Sequence, residues 1–404
     1  MNILQINTSV NSGSTGRIAE DIGKLLLSKN YQSFIAASKP KRPSESKIIW
    51  IGNYLDKIMH GIYTRLFDRH GYGSVNATKS LIKHIEIIKP DAIGLHNLHG
   101  YYLNIDILFE YLIQTQIPVL WTLFDCWAFT GHCSYFDDID CKKWETACFS
   151  CPKKNKYPAS LFLDNSKLNY FGKKTLFTKP ANIQLIVHSQ WLKSLVEKSF
   201  LNDFPIHHIA SGIDLNVFRP LINIAIKEKF ILQNKQVILG VANIWDTRKG
   251  LSDFIKLYDY LSNNQKIVLV GLSERQIKKL PHGIIGIPRT ESIIQLAELY
   301  SAADVFVNPT WQDNFPTTNL EALACGTPVI TYNTGGSPEA IDETTGIVVE
   351  KGNIDALHQA INEVLGKGKA YYSNNCRYRA VSLFNKDIKY VAYLDLYETM
   401  LSKH

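Results

Sequence analysis

Residues 304–339, DVFVNPTWQDNFPTTNLEALACGTPVITYNTGGSPE, decide how the rest of the chain is read. DVFVNP is an apolar, β-branched run closed by proline, and PVITYN is a second, closed by Asn333-Thr334-Gly335-Gly336. Each predicts a buried strand ended by turn residues. Between them Leu320, Leu323 and Ala324 fall at i, i+3 and i+4, one buried face of a helix of about two turns. Gly326 stands where a helix C-terminal glycine belongs. Such a strand-loop-helix unit sets the helix N-terminus at the carboxyl end of a parallel sheet, where anions settle. Asp313 precedes this helix and Glu321 lies inside it, eight residues apart, with the amides of Phe315 to Asn319 between them. Carboxylates accept hydrogen bonds from hydroxyls, while uncapped amides or cations receive phosphate. A purely structural reading also fits: Thr318-Asn319-Leu320-Glu321 has the form of a capping box, in which Glu321 only closes the helix start.

Glu321 is followed by Ala322, Ala324, Gly326, Pro328 and Val329. With Asp313 ahead of it, this pattern resembles the nucleotide-sugar site of the retaining, GT-B type glycosyltransferases of family 4, whose signature is Glu-x7-Glu followed by A-x-A-x-G-x-P-V. The first acid here is Asp313, one methylene shorter, which keeps the charge and the acceptor oxygens. The resemblance implies that Glu321 holds a ribose diol. It also implies that Asp313, with Asn314, Phe315, Pro316 and Thr317, holds the donor sugar.

At 404 residues the chain exceeds one ordinary core, and two domains are expected. Lysine and arginine exceed aspartate and glutamate by seven, without a long single-sign block. The densest basic runs are KPKR (39–42), KKNK (153–156) and GKK (172–174). Singly each reads as a solvated loop; together they permit contact with anionic lipid heads, such as the inner membrane's surface, or with phosphate-bearing substrates. Nothing resembles a nucleic-acid module. No apolar run reaches the ~18 residues of a membrane span, and the chain opens on a strand rather than a signal peptide. A cytoplasmic protein is expected, with room for peripheral contact at the cytoplasmic face of that membrane.

The amino-terminal half alternates strand and helix. ILQIN leads into Thr8–Gly16, then into a helix with Ile18, Ile22, Leu25 and Leu26 on one face. By resemblance this small-residue loop closes over the donor diphosphate, which makes Gly13 and Gly16 candidates. Residues 40–80 are rich in aromatic and basic side chains and suggest helices that the pattern does not place. DAIGLH ends a buried strand in HNLHGYYLN, and polar and aromatic groups there suit a sugar acceptor, with His99 and Tyr101 as candidates. PVLWTLF is the next strand. Many relatives in the resembling family carry a histidine at its end; here Phe124 stands there, followed by Asp125. A phenyl ring neither takes a proton nor hydrogen-bonds a hydroxyl. Asp125 or His132 substitutes for it, or the contact is dispensable, or activity has been lost.

Cys133, Cys141, Cys148 and Cys151 lie within nineteen residues, the last two as Cys-x2-Cys. In a reducing compartment such a cluster favours a metal, a structural zinc pinning a long loop, over disulfides. Buried free thiols or redox pairing are the alternatives, and the gaps are not those of a standard zinc ribbon. No cofactor is expected for the chemistry itself.

In the carboxy-terminal half, Val237–Ala242 is a strand followed by Asn243-Ile244-Trp245-Asp246-Thr247-Arg248-Lys249-Gly250. Arg248 and Lys249 at a strand end form a candidate diphosphate clamp, or else a charged surface turn. Many relatives have arginine where Asn243 stands, and Arg248 is the candidate replacement for its charge. By the same resemblance, Arg289 falls where relatives hold the base.

The whole implies two Rossmann-like α/β domains facing across a cleft, the GT-B architecture: residues 1–215 with a cysteine-rich insertion near 126–158, residues 216–385 holding the donor, and a last helix, 386–404, packing back on the first domain. The function implied is a retaining glycosyltransferase, moving a sugar from a nucleoside diphosphate sugar to a hydroxyl of a growing glycan or lipid-linked acceptor in bacterial surface polysaccharide synthesis. Two rivals remain at this level: a silent nucleotide-sugar-binding subunit, and a metal or redox protein built on the cysteine cluster.

Overall fold

The computed structural model describes residues 1–38, 42–222 and 224–402, so most of the KPKR run lies outside the described residues. The chain divides into two compact units. Unit 1 is residues 1–210 together with the chain from Lys389 on; unit 2 is Ser211–Ile388. The sequence reading set these divisions at 215/216 and 385/386.

Unit 1 is built on seven strands: β1 (Asn2–Ile6), β2 (Gln32–Ala37), β3 (Lys47–Trp50), β4 (Ala92–Leu95), β5 (Val119–Leu123), β6 (Ile183–Val187) and β7 (Ile206–His208). They pair in parallel in the order β3-β2-β1-β4-β5-β6-β7. A parallel sheet is covered on both faces, so its central strands bury every side chain. AIGL in β4 and VLWTL in β5 are buried throughout, and for that reason read as unbroken apolar runs. The strand order reverses between β1 and β4, and ligands settle outside the carboxyl ends at such a switch point.

Five helices matter here: α1 (Gly13–Ser28), α2 (Tyr54–Phe67), α3 (Val75–Ile88), α4 (Ile105–Thr115) and α5 (Ser166–Phe177). α1 starts at Gly13, so Gly16 is not a loop glycine but lies in the first turn; a Cβ there would come within 2.8 Å of Ser9 Oγ. The unplaced region 40–80 holds β3, α2 and the start of α3. The C-terminal helix Val391–Leu401 buries Tyr393, Leu394, Tyr397 and Met400 against Ile3, Ile22, Leu26 and Leu120 of unit 1. Each such side chain contributes on the order of 2 kcal/mol. Gly94 in β4 admits the Tyr397 phenol, since a Cβ there would stand 2.4 Å from its oxygen.

Unit 2 has six strands: β8 (Gln236–Val241), β9 (Gln265–Val270), β10 (Ile284–Ile287), β11 (Val305–Asn308), β12 (Val329–Tyr332) and β13 (Gly346–Val349). All pair in parallel, in the order β10-β9-β8-β11-β12-β13, with the switch point between β8 and β11. The opening segment folds as read: β11, the helix Thr317–Ala324, Gly326 at φ +71°, then β12. Among the described residues no helix is long and apolar enough to cross a membrane.

Candidate functional site

The loops leaving β8 and β11 meet at the switch point of unit 2. The Trp311 amide donates to the Arg248 carbonyl at 2.7 Å, and Arg248 Nη1 donates to the Gln312 carbonyl at 2.9 Å. This stitching sets Lys249 Nζ on the Asp313 carboxylate as an ion pair. Their side chains are 20% and 15% exposed, so the pair is open at one side only. Two glycines permit the approach. Gly250 has φ +76°, and a Cβ there would stand 2.1 Å from the Pro309 carbonyl oxygen. Gly335 has φ +53°, and a Cβ would stand 1.7 Å from that of Asp313. Both the left-handed backbone and the missing Cβ are needed at each.

The helix Thr317–Ala324 begins after Pro316, and no side chain caps its first turn. Thr318 lies inside the helix, so the capping box does not form. Glu321 instead accepts a hydrogen bond from the Tyr300 hydroxyl at 2.9 Å, its side chain buried. The helix N-terminus therefore faces the Asp313 loop with amide donors and the positive end of its dipole. Behind it, Asn319 Nδ2 donates to the Ser337 carbonyl and Oγ, both at 3.2 Å, and Asn319 Oδ1 accepts from Asn308 Nδ2 at 2.8 Å. This buried network ties the loop after β12 to the same helix.

Asn314, Phe315 and Pro316 are buried and Thr317 half-exposed. Phe315 packs its ring on Phe384 at 5.9 Å, so its side chain serves the core. Asn243 and Arg289 are exposed past the ends of β8 and β10. Sequence reasoning missed Asp253, whose buried Oδ2 accepts from Trp311 Nε1 at 2.7 Å and from the Tyr332 hydroxyl at 3.1 Å. Its signal was a carboxylate on the core face of the GLSDFIKLY helix.

In unit 1 the loops after β1 and β4 meet in the same way: Thr8 Oγ1 donates to the His99 carbonyl at 2.9 Å. His99 Nε2 lies 2.7 Å from Asp125 Oδ2, and its Nδ1 lies 2.9 Å from the Tyr157 hydroxyl. A carboxylate only accepts, so Nε2 donates to it, and in the neutral ring Nδ1 accepts a hydrogen bond from the tyrosine hydroxyl. Asp125 Oδ1 also accepts the Trp127 amide at 2.9 Å. A small pocket is lined here by His96, Asn97, His99, Phe124, Asp125 and Trp127 among others. Tyr101, at φ +66°, stands edge-on to His70 with ring centroids 4.6 Å apart. His60 and His70, from α2 and the turn after it, complete the cluster and were not foreseen. Burial lowers His60 to about 4 and His70 well below its ordinary value.

Phe124 lies between two imidazoles, His188 at 5.0 Å and His96 at 6.1 Å. Leu123 pairs with Val187 across β5 and β6, so Phe124 and His188 follow as neighbours. Burial lowers these two histidines to about 4 and about 3. Of the replacements weighed for this position, Asp125 is bound to His99. His132 turns away to Asp68 at 2.5 Å, deep in the cysteine-rich segment, and does not line the pocket that holds His99.

Cys133, Cys141, Cys148 and Cys151 do line one pocket with His132. Among the described residues, however, no three or more Cys, His, Asp or Glu side chains are arranged to hold a metal ion. Cys148 Sγ accepts the Gly131 amide at 3.1 Å. The neighbouring Cys133 thiol brings the Cys151 thiol down to about 7, while burial pushes Cys148 up to about 11. Cys126, Cys325 and Cys376 are buried, as read.

Residues 235–367 match the family model described as glycosyl transferases group 1. Over 385 residues the chain is 25% identical to a putative colanic acid biosynthesis glycosyl transferase, WcaC, of Escherichia coli K12, covering 89% of this chain and 90% of that one. Sucrose-phosphate synthase from Thermosynechococcus elongatus superposes with a TM-score of 0.77 at 19% identity, over 100% of both chains. Anabaena HepE, solved in complex with UDP, superposes with a TM-score of 0.71 at 14% identity, over 99% of this chain and 100% of that one.

Proposed function

We propose that this chain, whose residues 235–367 match the group 1 glycosyl transferase model and whose fold is that of the GT-B glycosyltransferases, transfers a sugar, with retention, from a nucleoside diphosphate sugar. The acceptor is a hydroxyl of a growing glycan or lipid-linked oligosaccharide in bacterial surface polysaccharide synthesis. The similarity to WcaC along almost the whole chain supports that setting.

One observation carries the donor assignment: the Lys249–Asp313 pair set before an uncapped helix N-terminus, with Glu321 buried in that helix. Sugar and diphosphate ask for opposite chemistry, and the pair separates to supply both. The incoming diphosphate draws Lys249 to itself and shares the helix amides, which leaves Asp313 to accept from sugar hydroxyls. Glu321 takes the ribose diol, and Arg248 adds a second positive charge. In transfer, the acceptor oxygen bonds to the anomeric carbon on the face the phosphate leaves. The carbon–oxygen bond to phosphate breaks, and the departing phosphate oxygen takes the acceptor proton. No divalent cation is required, because Lys249, Arg248 and the amides neutralise the growing charge.

The test is thermal unfolding with UDP, GDP and ADP, each with and without magnesium. A nucleotide at a hundred times its dissociation constant adds ~2.7 kcal/mol, a shift of a few degrees. One nucleotide is expected to shift the midpoint, with or without magnesium, and its sugars then enter a transfer assay read by the anomeric configuration of the product. Silence with all three rejects the donor site.

A further inference from the structure

α2 is built inside out. A helix on the surface of a globular protein turns its apolar stripe inward. Here the buried residues are His60, whose ring bonds to the Ser74 hydroxyl and the Gly71 amide, and Thr64, whose hydroxyl lies 3.4 Å from His70 Nδ1. The outward face carries Tyr54, Leu55, Ile58, Met59, Ile62, Tyr63, Leu66 and Phe67, with Tyr54, Leu55 and Met59 76%, 68% and 63% exposed.

The apolar surface continues beyond the helix. The Leu161 amide donates to the Arg65 carbonyl at 2.8 Å, and Asn165 Nδ2 donates to that of Phe67 at 2.7 Å. These bonds pin the Leu161-Phe162-Leu163 segment and the start of α5 to the end of α2. Phe162 is 68% exposed, and Leu168 and Phe171 of α5 are also exposed. A patch of this kind marks a binding surface.

Its exposed charges are mostly positive, Asp164 being the exception. Arg65, Lys156, Lys167 and Lys174 are exposed. The acids are used locally: Asp56 caps α2, and Asp164 accepts the Cys151 and Ser166 amides. Aromatic and aliphatic side chains interleaved with cations match the acyl boundary and anionic heads of a lipid bilayer rather than a second copy of the same positive patch. We propose that α2 and the 161–171 segment dock unit 1 onto an anionic membrane surface, with α2 lying in the plane of the interface. This goes beyond the donor reading, since every residue in it belongs to unit 1.

Flotation with phosphatidylcholine vesicles, with and without phosphatidylglycerol, tests it on the full chain. The protein is expected to float with the anionic vesicles and to be released by salt. Leu55→Ser with Met59→Ser is expected to cut bound protein by about tenfold, and Arg65→Glu by less. Both variants should keep the nucleotide-induced unfolding shift, which shows that they fold and separates this outcome from failure of the donor site. Tyr378→Ser, equally exposed but in unit 2, should change nothing. Absence of flotation, binding unchanged in the double variant, or equal loss with Tyr378→Ser overturns the proposal. So does sedimentation of the wild type as a dimer that the double variant dissolves, because the patch is then a protein interface.

Discussion

Lys249 and Asp313 hold each other in the free protein, so replacing one or the other should move nucleotide affinity in different directions. Lys249→Met keeps the stem and removes the charge. Asp313 then loses its partner where both side chains are largely covered, 15% and 20% exposed. Leaving a carboxylate partly buried and unpaired costs about 1–3 kcal/mol of stability. In transfer the variant also lacks the cation aimed at the leaving diphosphate. Removal of one such preorganised donor lowers turnover about 10²–10³-fold, or ~2.7–4 kcal/mol, and diphosphate affinity falls with it. Asp313→Asn instead releases Lys249 from its competitor. Diphosphate affinity should hold or rise, while turnover falls because the sugar loses its charged acceptor. Calorimetric titration with the nucleotide found by the unfolding screen, beside turnover of its sugar donor, reads both. The reasoning fails if the two variants weaken nucleotide binding alike, or if Lys249→Met turns over within about threefold of wild type, under ~0.7 kcal/mol.

Gly335→Ala drives a Cβ into the Asp313 carbonyl, 1.7 Å away, from a left-handed backbone. The loop must move, and the nucleotide-induced unfolding shift should vanish even where the protein stays folded; a shift of wild-type size counts against the loop's placement. Acid should weaken unit 1. His60, His96 and His188 lie in it with folded values lowered by burial to about 4, 3 and 4. The unfolded chain takes protons near pH ~6.5 that the fold refuses, so stability present above that value is lost as pH falls toward about 4, by at most ~1.4 kcal/mol per unit per histidine. His132 opposes this: burial alone would lower it, but Asp68 raises it, so its contribution is full below ~6.5 and lost as pH rises through its folded value. Calorimetry should show one transition moving down between about pH 7 and pH 5, and an unmoved profile refutes the burial argument. Thiol titration of denatured protein decides the cysteine cluster: seven free thiols without zinc count against a metal centre, and one zinc released per chain establishes it.

The donor segment was legible in detail because it is local. Strand runs, turn residues and the glycine after the helix follow from backbone preferences over a few residues, and Ser189 and Ser292 cap their helices at the Leu192 and Gln295 amides. One reading failed for want of neighbours. Thr318 and Glu321 have capping-box spacing, but Pro316 starts the helix earlier, and Tyr300, twenty-one residues upstream of Glu321, claims the carboxylate. The cysteine spacing announces a cluster, and only the fold gathers its four thiols with His132 around one pocket. The 40–80 region resisted because α2 puts its polar side chains inward, against the pattern by which helices are recognised.

By itself, then, the sequence determined the alternation of buried strands and helices, the loops that carry Lys249 and Asp313, and the two-unit division to within a few residues. Each depends on side-chain patterns that repeat within one element or turn. Only the tertiary structure decided that Lys249 and Asp313 are partners, that His99 is held by Asp125 and Tyr157, and that α2 shows its apolar face to solvent. Those outcomes depend on strand order, which sets loops from β8 and β11, or from β1 and β4, side by side though they are far apart in the chain.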